Sequence, residues 1–204
     1  MKKILFIFLM LFTSLSFAAA PEVGVNFDKT VQTVPTDNKD KIEVTELFWY
    51  GCIHCYQMDP ILSDWVKKLP KDVYFKRMPA IPRPDWAPMA RAFYAMETLG
   101  VADKLHTPLF DAVHKERSLN PGDEKAILQW VTLKSGLDRK KVEDAFNSFS
   151  MNASLNKAAQ VFKASTLMID GKYITSSTMA GGNNEALQIA DFIISNVRKD
   201  RNKK

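Results

Sequence analysis

Along the chain the hydrophobic positions change period several times, and each change marks an element. Residues 4–17 (ILFIFLMLFTSLSF) are an almost unbroken apolar run. Residues 30–34 (TVQTV) alternate and predict a short edge strand stopped by Pro35, with residues 36–40 as a turn. Residues 42–49 (IEVTELFW) are rich in β-branched and aromatic side chains and predict a buried strand. From residue 56 to 69 the period becomes helical: Met58, Ile61, Leu62, Trp65, Val66 and Leu69 share one face. Pro60 falls inside that pattern and predicts a kink, because its nitrogen carries no hydrogen to bond back. Residues 73–78 (VYFKRM) predict a second strand.

Pro79, Pro82, Pro84 and Pro88 then punctuate a connector. From residue 86 to 162 every periodic segment is helical. The stripes are Trp86, Ala90, Phe93 and Met96; Leu105, Leu109 and Val113; Ile127, Trp130 and Val131; Val142, Ala145, Phe146 and Phe149; and Leu155, Ala159 and Phe162. Gly100 and Gly136 stand where helices stop. Such stripes predict the core of a helical bundle rather than ligand grooves. His106 and His114 lack the i, i+4 spacing of a helical metal pair and read as surface or cap residues. Residues 166–170 (TLMID) and 173–175 predict a β-hairpin turning at Gly171-Lys172. A final helix follows Gly181-Gly182, with Leu187, Ala190, Ile194 and Val197 inward. Strands at both ends with helices between them predict an α/β fold: one sheet interrupted by a helical insertion.

Composition adds little to this picture except at the ends. Hydrophobic content of 46% and charged content of 25% are those of a globular domain. Lys2 and Lys3, the apolar run and Ala18-Ala19-Ala20 have the layout of a secretory signal, with cleavage expected near Ala18–Ala20. The run is shorter than the ~20 residues of a spanning helix, so a membrane anchor is the weaker reading. Losing the two lysines lowers the formal charge from +5 to +3, and no basic and aromatic stripe points to nucleic acid. The basic end, from Arg198 to Lys204, reads as a solvated helix terminus. Export would place the cysteines in an oxidising compartment.

Those cysteines are the two of Cys52-Ile53-His54-Cys55. A structural zinc site needs about four ligands, and this pair with His54 does not supply them. Haem attachment needs a histidine directly after the second cysteine, where Tyr56 stands. No metal or other cofactor is expected. A structural staple would close too short a loop to stabilise much. A redox pair explains more. Cys52 follows a buried strand at the start of a helix, where unsatisfied N–H groups and the positive dipole end favour a thiolate. His54, if protonated, adds to that field. A stabilised thiolate makes the disulfide a stronger oxidant, with Cys55 as the resolving partner.

Glu46-x5-Cys52-x2-Cys55-Tyr56 after a strand, the helical insertion, TLMIDGKY and a C-terminal helix together resemble the DsbA family of periplasmic thiol oxidases. The resemblance implies a thioredoxin-like fold with an inserted all-helical domain. The expected boundaries are a signal at 1–20, a thioredoxin-like domain at 21–80 and 163–204, and the insertion at 81–162. It also implies a monomer that donates the Cys52–Cys55 disulfide to reduced, unfolded exported proteins and is reoxidised by a quinone-linked membrane partner of the DsbB type. Glu46 matches the family's acidic residue beneath the active site, where a buried carboxylate has a raised pKa and moves protons; the alternative is a strand residue facing solvent. Ile53 and His54 would tune the potential. Trp49, Tyr50 and Gly51 would offer an apolar platform to an extended substrate.

Two departures stand out. Ile53 occupies the position where the family most often has proline. Before Thr166-Leu167 the family usually has Gly-x-x-Gly-Val-Pro, with a cis-proline beside the cysteine pair; this chain reads Phe162-Lys163-Ala164-Ser165. Either Ser165 takes the proline's place or the loop is deleted, and the deletion fits the preceding residues better. The Ala164–Ser165 bond is then expected to be trans, since a cis bond before a non-proline costs ~3–4 kcal/mol. Ser165 and Thr166 would border the substrate strand, docking would weaken, and the register of the 166–170 strand would be at risk. A second reading is therefore a degenerate member that binds exported polypeptides with impaired turnover. An isomerase or reductase on the same fold is a third, but no segment is spare for a dimerisation domain.

Overall fold

A computed structural model of the chain describes residues 20–160 and 166–203. Residues 1–19 of the predicted signal, Phe162, Ser165 and the Ala164–Ser165 bond lie outside the described residues. The elements run β1 (Asp28–Lys29), β2 (Ile42–Phe48), α1 (Ile53–Val66), β3 (Val73–Pro79), a 3-10 turn (Pro84–Trp86), α2 (Ala87–Thr98), α3 (Ala102–His114), α4 (Glu124–Ser135), α5 (Arg139–Phe146), α6 (Phe149–Ala159), β4 (Thr166–Ile169), β5 (Tyr173–Ser176), α7 (Ser177–Ala180) and α8 (Asn183–Arg201).

The strands form one sheet in the order β1-β5-β4-β2-β3. β2 lies between β3, to which it is parallel, and β4, to which it is antiparallel. Its seven residues are all buried, as a strand covered on both faces requires. On one face Ile42 and Val44 pack with α1 and α8 through Met58, Leu62, Ile193 and Ile194. Phe48, further along, enters the core of the helical insertion with Phe93, Leu109, Phe110 and Phe146. The end of β2 that leads into the cysteine motif is therefore shared between sheet and insertion. Glu46 falls between these two apolar groups.

The 166–169 strand keeps its register despite the short approach to it: Leu167 opposes Glu46 and Ile169 opposes Val44. Its hairpin turns one residue earlier than the sequence predicts. Asp170 and Gly171, at φ 54° and 64°, are the central residues, and Lys172 N–H donates to Ile169 O at 3.0 Å. Two consecutive positive φ angles suit the right-handed strand twist.

Three other expectations are corrected. Residues 30–34 are not a strand: the edge is β1 at Asp28–Lys29, paired with β5. Val31 is exposed, and the segment instead wraps the hairpin, with Thr30 N–H donating to Lys172 O and Val34 N–H to Gly171 O. Phe149 is 98% exposed, because α5 ends at Phe146 and the stripe does not stay in phase across Asn147-Ser148. In α6 the buried residues are Met151 and Ala158, whereas Ala159 faces out. Pro60 lies inside α1 without ending it.

Candidate active site

Cys52 is the N-cap of α1, with extended backbone (φ −89°, ψ 114°), and its N–H donates to Trp49 O at 2.9 Å across a tight turn. The first-turn amides of α1 point back toward this N-cap, so the positive end of the helix dipole lies at Cys52. Cys52 is half-buried, Ile53 and His54 are exposed, and Cys55 is 1% exposed, one turn in, against the insertion's core. A reachable outer sulfur and a shielded inner one are what attack and resolution require.

Gly51 precedes Cys52 for a steric reason. A Cβ there would run into the indole of Trp49. That indole is stacked on Trp86, with ring centroids 3.8 Å apart and planes 7° from parallel, so it cannot easily give way. Trp49 is half-buried in this pair and reaches the surface in part. Tyr50 does not: it is fully buried, packed on Phe48 and Phe110, so it is no part of a substrate platform. Thr166 is likewise only 6% exposed and lines a small, partly open pocket.

That pocket joins Glu46 to Cys55. It holds about 10 Å³, room for about one water, and Glu46, Cys55, Met58 and Thr166 are among its walls. Glu46 is buried, not solvent-facing. Burial pushes its pKa up to about 7; the neighbouring Arg77 opposes the rise and the charge of Asp59 reinforces it. Arg77 Nε donates to Glu46 Oε2 at 2.9 Å.

Sequence reasoning missed the rest of this buried polar group. Asp59 on α1 is 1% exposed and accepts from Thr107 Oγ1 at 2.6 Å. Burial pushes its pKa upward, but His106, Thr107 and Arg77 together hold it below the usual carboxylate range. His106, expected at the surface, is 3% exposed, with Nδ1 2.7 Å from the Tyr50 hydroxyl. Burial lowers its pKa, partly offset by Asp59. His114 is half-buried, with Nε2 2.8 Å from Tyr50 O and its ring stacked on Tyr56, whose hydroxyl donates to Asp111 at 2.8 Å. The only available signal was polarity at helix positions that share a face with core residues: Asp59 beside Met58 and Leu62, His106 beside Leu105 and Leu109.

No family model matches the chain. Curated relatives do. Over 189 residues it is 34% identical to the thiol:disulfide interchange protein DsbA of Burkholderia cepacia, covering 88% of this chain and 87% of that one. The chain belongs to the DsbA family. Solved structures agree. A crystal structure of Pseudomonas aeruginosa DsbA matches with TM-score 0.79 at 34% identity, covering 89% of this chain and 96% of that one. The oxidoreductase DsbA of Xylella fastidiosa matches with TM-score 0.80 at 27% identity, over 88% and 98%. The fold is thus thioredoxin-like with a helical insertion, and the protein is a thiol:disulfide oxidoreductase. Among the described residues no helix is long and apolar enough to cross a membrane, and no cluster of three metal-ligating side chains is present.

Proposed function

We propose that the protein, exported to the periplasm after cleavage near Ala18–Ala20, donates a Cys52–Cys55 disulfide to reduced, unfolded exported polypeptides. A substrate thiolate attacks Cys52 Sγ, forming a mixed disulfide and breaking the Cys52–Cys55 bond. Cys55 leaves as a thiolate and takes a proton from Glu46 across the shared cavity. A second substrate thiolate then attacks the substrate's sulfur of the mixed disulfide, and Cys52 leaves as a thiolate. Two electrons pass from substrate to enzyme, one proton ends on Cys55 and one is released. A quinone-linked membrane oxidase of the DsbB type would restore the disulfide.

The observation that carries this reading is the position of Cys52 at a helix N-terminus with Cys55 buried behind it, beside a carboxyl that titrates near neutrality. Ile53 and His54, both exposed, would tune the potential and meet the substrate with Trp49. The boundaries at 1–20, 21–80 with 163–204, and 81–162 belong to the same proposal, as does a monomeric state. Residues 161–165, Ser165 among them, lie outside the described residues; the missing Gly-Val-Pro is expected to weaken substrate docking.

Oxidation of reduced, unfolded ribonuclease tests the reading. The disulfide form should oxidise it stoichiometrically, Cys52→Ser should not, and a version with Gly-Val-Pro restored before Thr166 should work faster. A pair that binds the substrate but stays oxidised would instead make this a degenerate binder. Equal rates with and without the added loop would end the docking argument.

A further inference from the structure

His106, Phe110 and His114 follow one another at helical i, i+4 spacing on one face of α3, and all three meet Tyr50. The Tyr50 hydroxyl lies 2.7 Å from His106 Nδ1, its ring centroid 4.8 Å from that of Phe110, and its carbonyl oxygen 2.8 Å from His114 Nε2. A carbonyl can only accept, so His114 Nε2 carries a hydrogen whatever the charge on the ring. Asp111, in the same last turn of α3, accepts from the Tyr56 hydroxyl at 2.8 Å. The His114 ring stacks on that of Tyr56, with centroids 5.0 Å apart and planes 16° from parallel. One turn of α3 therefore grips the chain on both sides of the redox pair, at Tyr50 before Cys52 and at Tyr56 after Cys55.

The grip at Tyr50 falls on the middle of a turn. Trp49 to Cys52 form a tight turn closed by Cys52 N–H donating to Trp49 O at 2.9 Å. Tyr50 and Gly51 are its central residues, and neither has a left-handed φ, which makes the turn type I. The turn's own hydrogen bond leaves the Tyr50 carbonyl over, and His114 takes it up. In the type II alternative the peptide between Tyr50 and Gly51 is reversed, and the second central residue needs a positive φ, which glycine adopts without strain. Gly51 is required here to clear the Trp49 indole, and by the same choice it leaves the turn two arrangements. The bond to His114 selects one of them. It points the negative end of this peptide at α3, where a donor meets it, two residues from Cys52.

We propose that His114 is a positioning residue for Cys52: it locks the Tyr50–Gly51 peptide toward α3, and the locked turn favours negative charge on the Cys52 sulfur. This rests on Cys52 being the attacked sulfur whose thiolate the folded protein stabilises. Cys52 is both the last residue of the turn and the N-cap of α1, so its placement at the positive helix end depends on the shape of the turn. With the donor present, the Tyr50 carbonyl is fixed and its partial charge is met. Without it the acceptor is left unpaired, and the peptide reverses to find another partner. The thiolate then loses part of its support, and the disulfide becomes a weaker oxidant. His114 acts through the backbone of the turn and transfers no proton. The helical insertion, which carries α3, thereby helps to set the potential of a cysteine pair carried by the sheet.

Two substitutions separate the donor from the ring. His114→Phe keeps a ring to stack on Tyr56 and removes the N–H. His114→Gln removes the ring and places an amide N–H where Nε2 stood. Equilibration with reduced and oxidised glutathione reads the redox pair. His114→Phe is expected to shift that equilibrium about fivefold toward the protein disulfide and to raise the midpoint of Cys52 thiolate absorbance; His114→Gln is expected to stay within about twofold of the native protein. The amide-to-Hα couplings of Gly51, read by NMR, should change in His114→Phe, as its φ enters the left-handed region, and not in His114→Gln. His114→Ala serves in place of His114→Phe if that variant does not fold. An equilibrium within about twofold of native in the donor-less variant, or a shift in His114→Gln as large as in His114→Phe, overturns the proposal. A native protein whose Cys52 titrates like a free thiol overturns the underlying reading, and this proposal with it.

Discussion

Glu46 is the residue on which chemistry and stability pull against each other. Its pKa is raised to about 7 in the folded protein, above an unfolded value of 4.5. Between those two pH values the folded state holds a proton that the unfolded state has released. Stability therefore falls as pH climbs from 4.5 and reaches its full loss above 7, where both states are ionised. At ~1.4 kcal/mol per unit the loss amounts to about 3 kcal/mol. Glu46→Gln, which keeps the shape and removes the charge, should stabilise the protein by up to about 3 kcal/mol at pH 8. At pH 5 it should change stability little. Urea unfolding at the two pH values measures this, and equal effects at both would contradict the raised pKa. Part of the gain will be lost because Arg77 then faces Asp59 alone. The sequence marked Glu46 through its spacing from Cys52. It gave no comparable mark for Asp59, Arg77 or His106, which are distant in sequence and meet only when α1, β3 and α3 close over β2.

At the level of elements, the β4–β5 hairpin shows how a turn can govern a sheet. Gly171 has φ 64°, and a Cβ there would run into the carbonyl of Val34, which accepts no alternative position because Val34 N–H is itself bonded to Gly171 O at 2.9 Å. Gly171→Ala combines positive-φ strain with a backbone clash and is expected to cost on the order of 3 kcal/mol. Loss of hydrogen-exchange protection should begin at residues 30–34 and β5; unchanged protection there would show that the wrap is unimportant. The hairpin itself was legible from DGK between two apolar runs. Its exact centre was not, because Asp170 had to be recognised as a second left-handed residue. Tertiary contacts hold Asp170 in place: its carboxylate pairs with Lys172 and with Arg201 at the end of α8. The false strand at 30–34 failed for a related reason. Its alternation was real, but the edge beside β5 is taken by Asp28–Lys29, and the segment that follows bends around the hairpin turn.

For the whole molecule, the consequence of inserting helices between β3 and β4 is a shared core. Phe110 of α3 is fully buried and touches the rings of Phe48, Tyr50 and His106, so it links the insertion to the strand that carries the cysteine motif. Phe110→Ala should cost about 3–5 kcal/mol. Because the cavity opens at the junction, the sheet and the insertion should still unfold in one transition, followed identically by far-ultraviolet dichroism and by tryptophan fluorescence. Two separated transitions would mean that the insertion is an independent unit.

The sequence by itself determined the main strands and helices from Ile42 onward, the location of Cys52 at a helix start and the acidic residue six positions before it. These are local properties: period, turn chemistry and spacing within one segment. Only the tertiary structure decided that Tyr50 is buried, that His106 lies inside, that Phe149 lies outside, and that Glu46 shares a cavity with Cys55 while leaning on Arg77 and Asp59. Burial and pairing depend on which elements close over a residue, and a linear pattern records a residue's own face but not what will cover it.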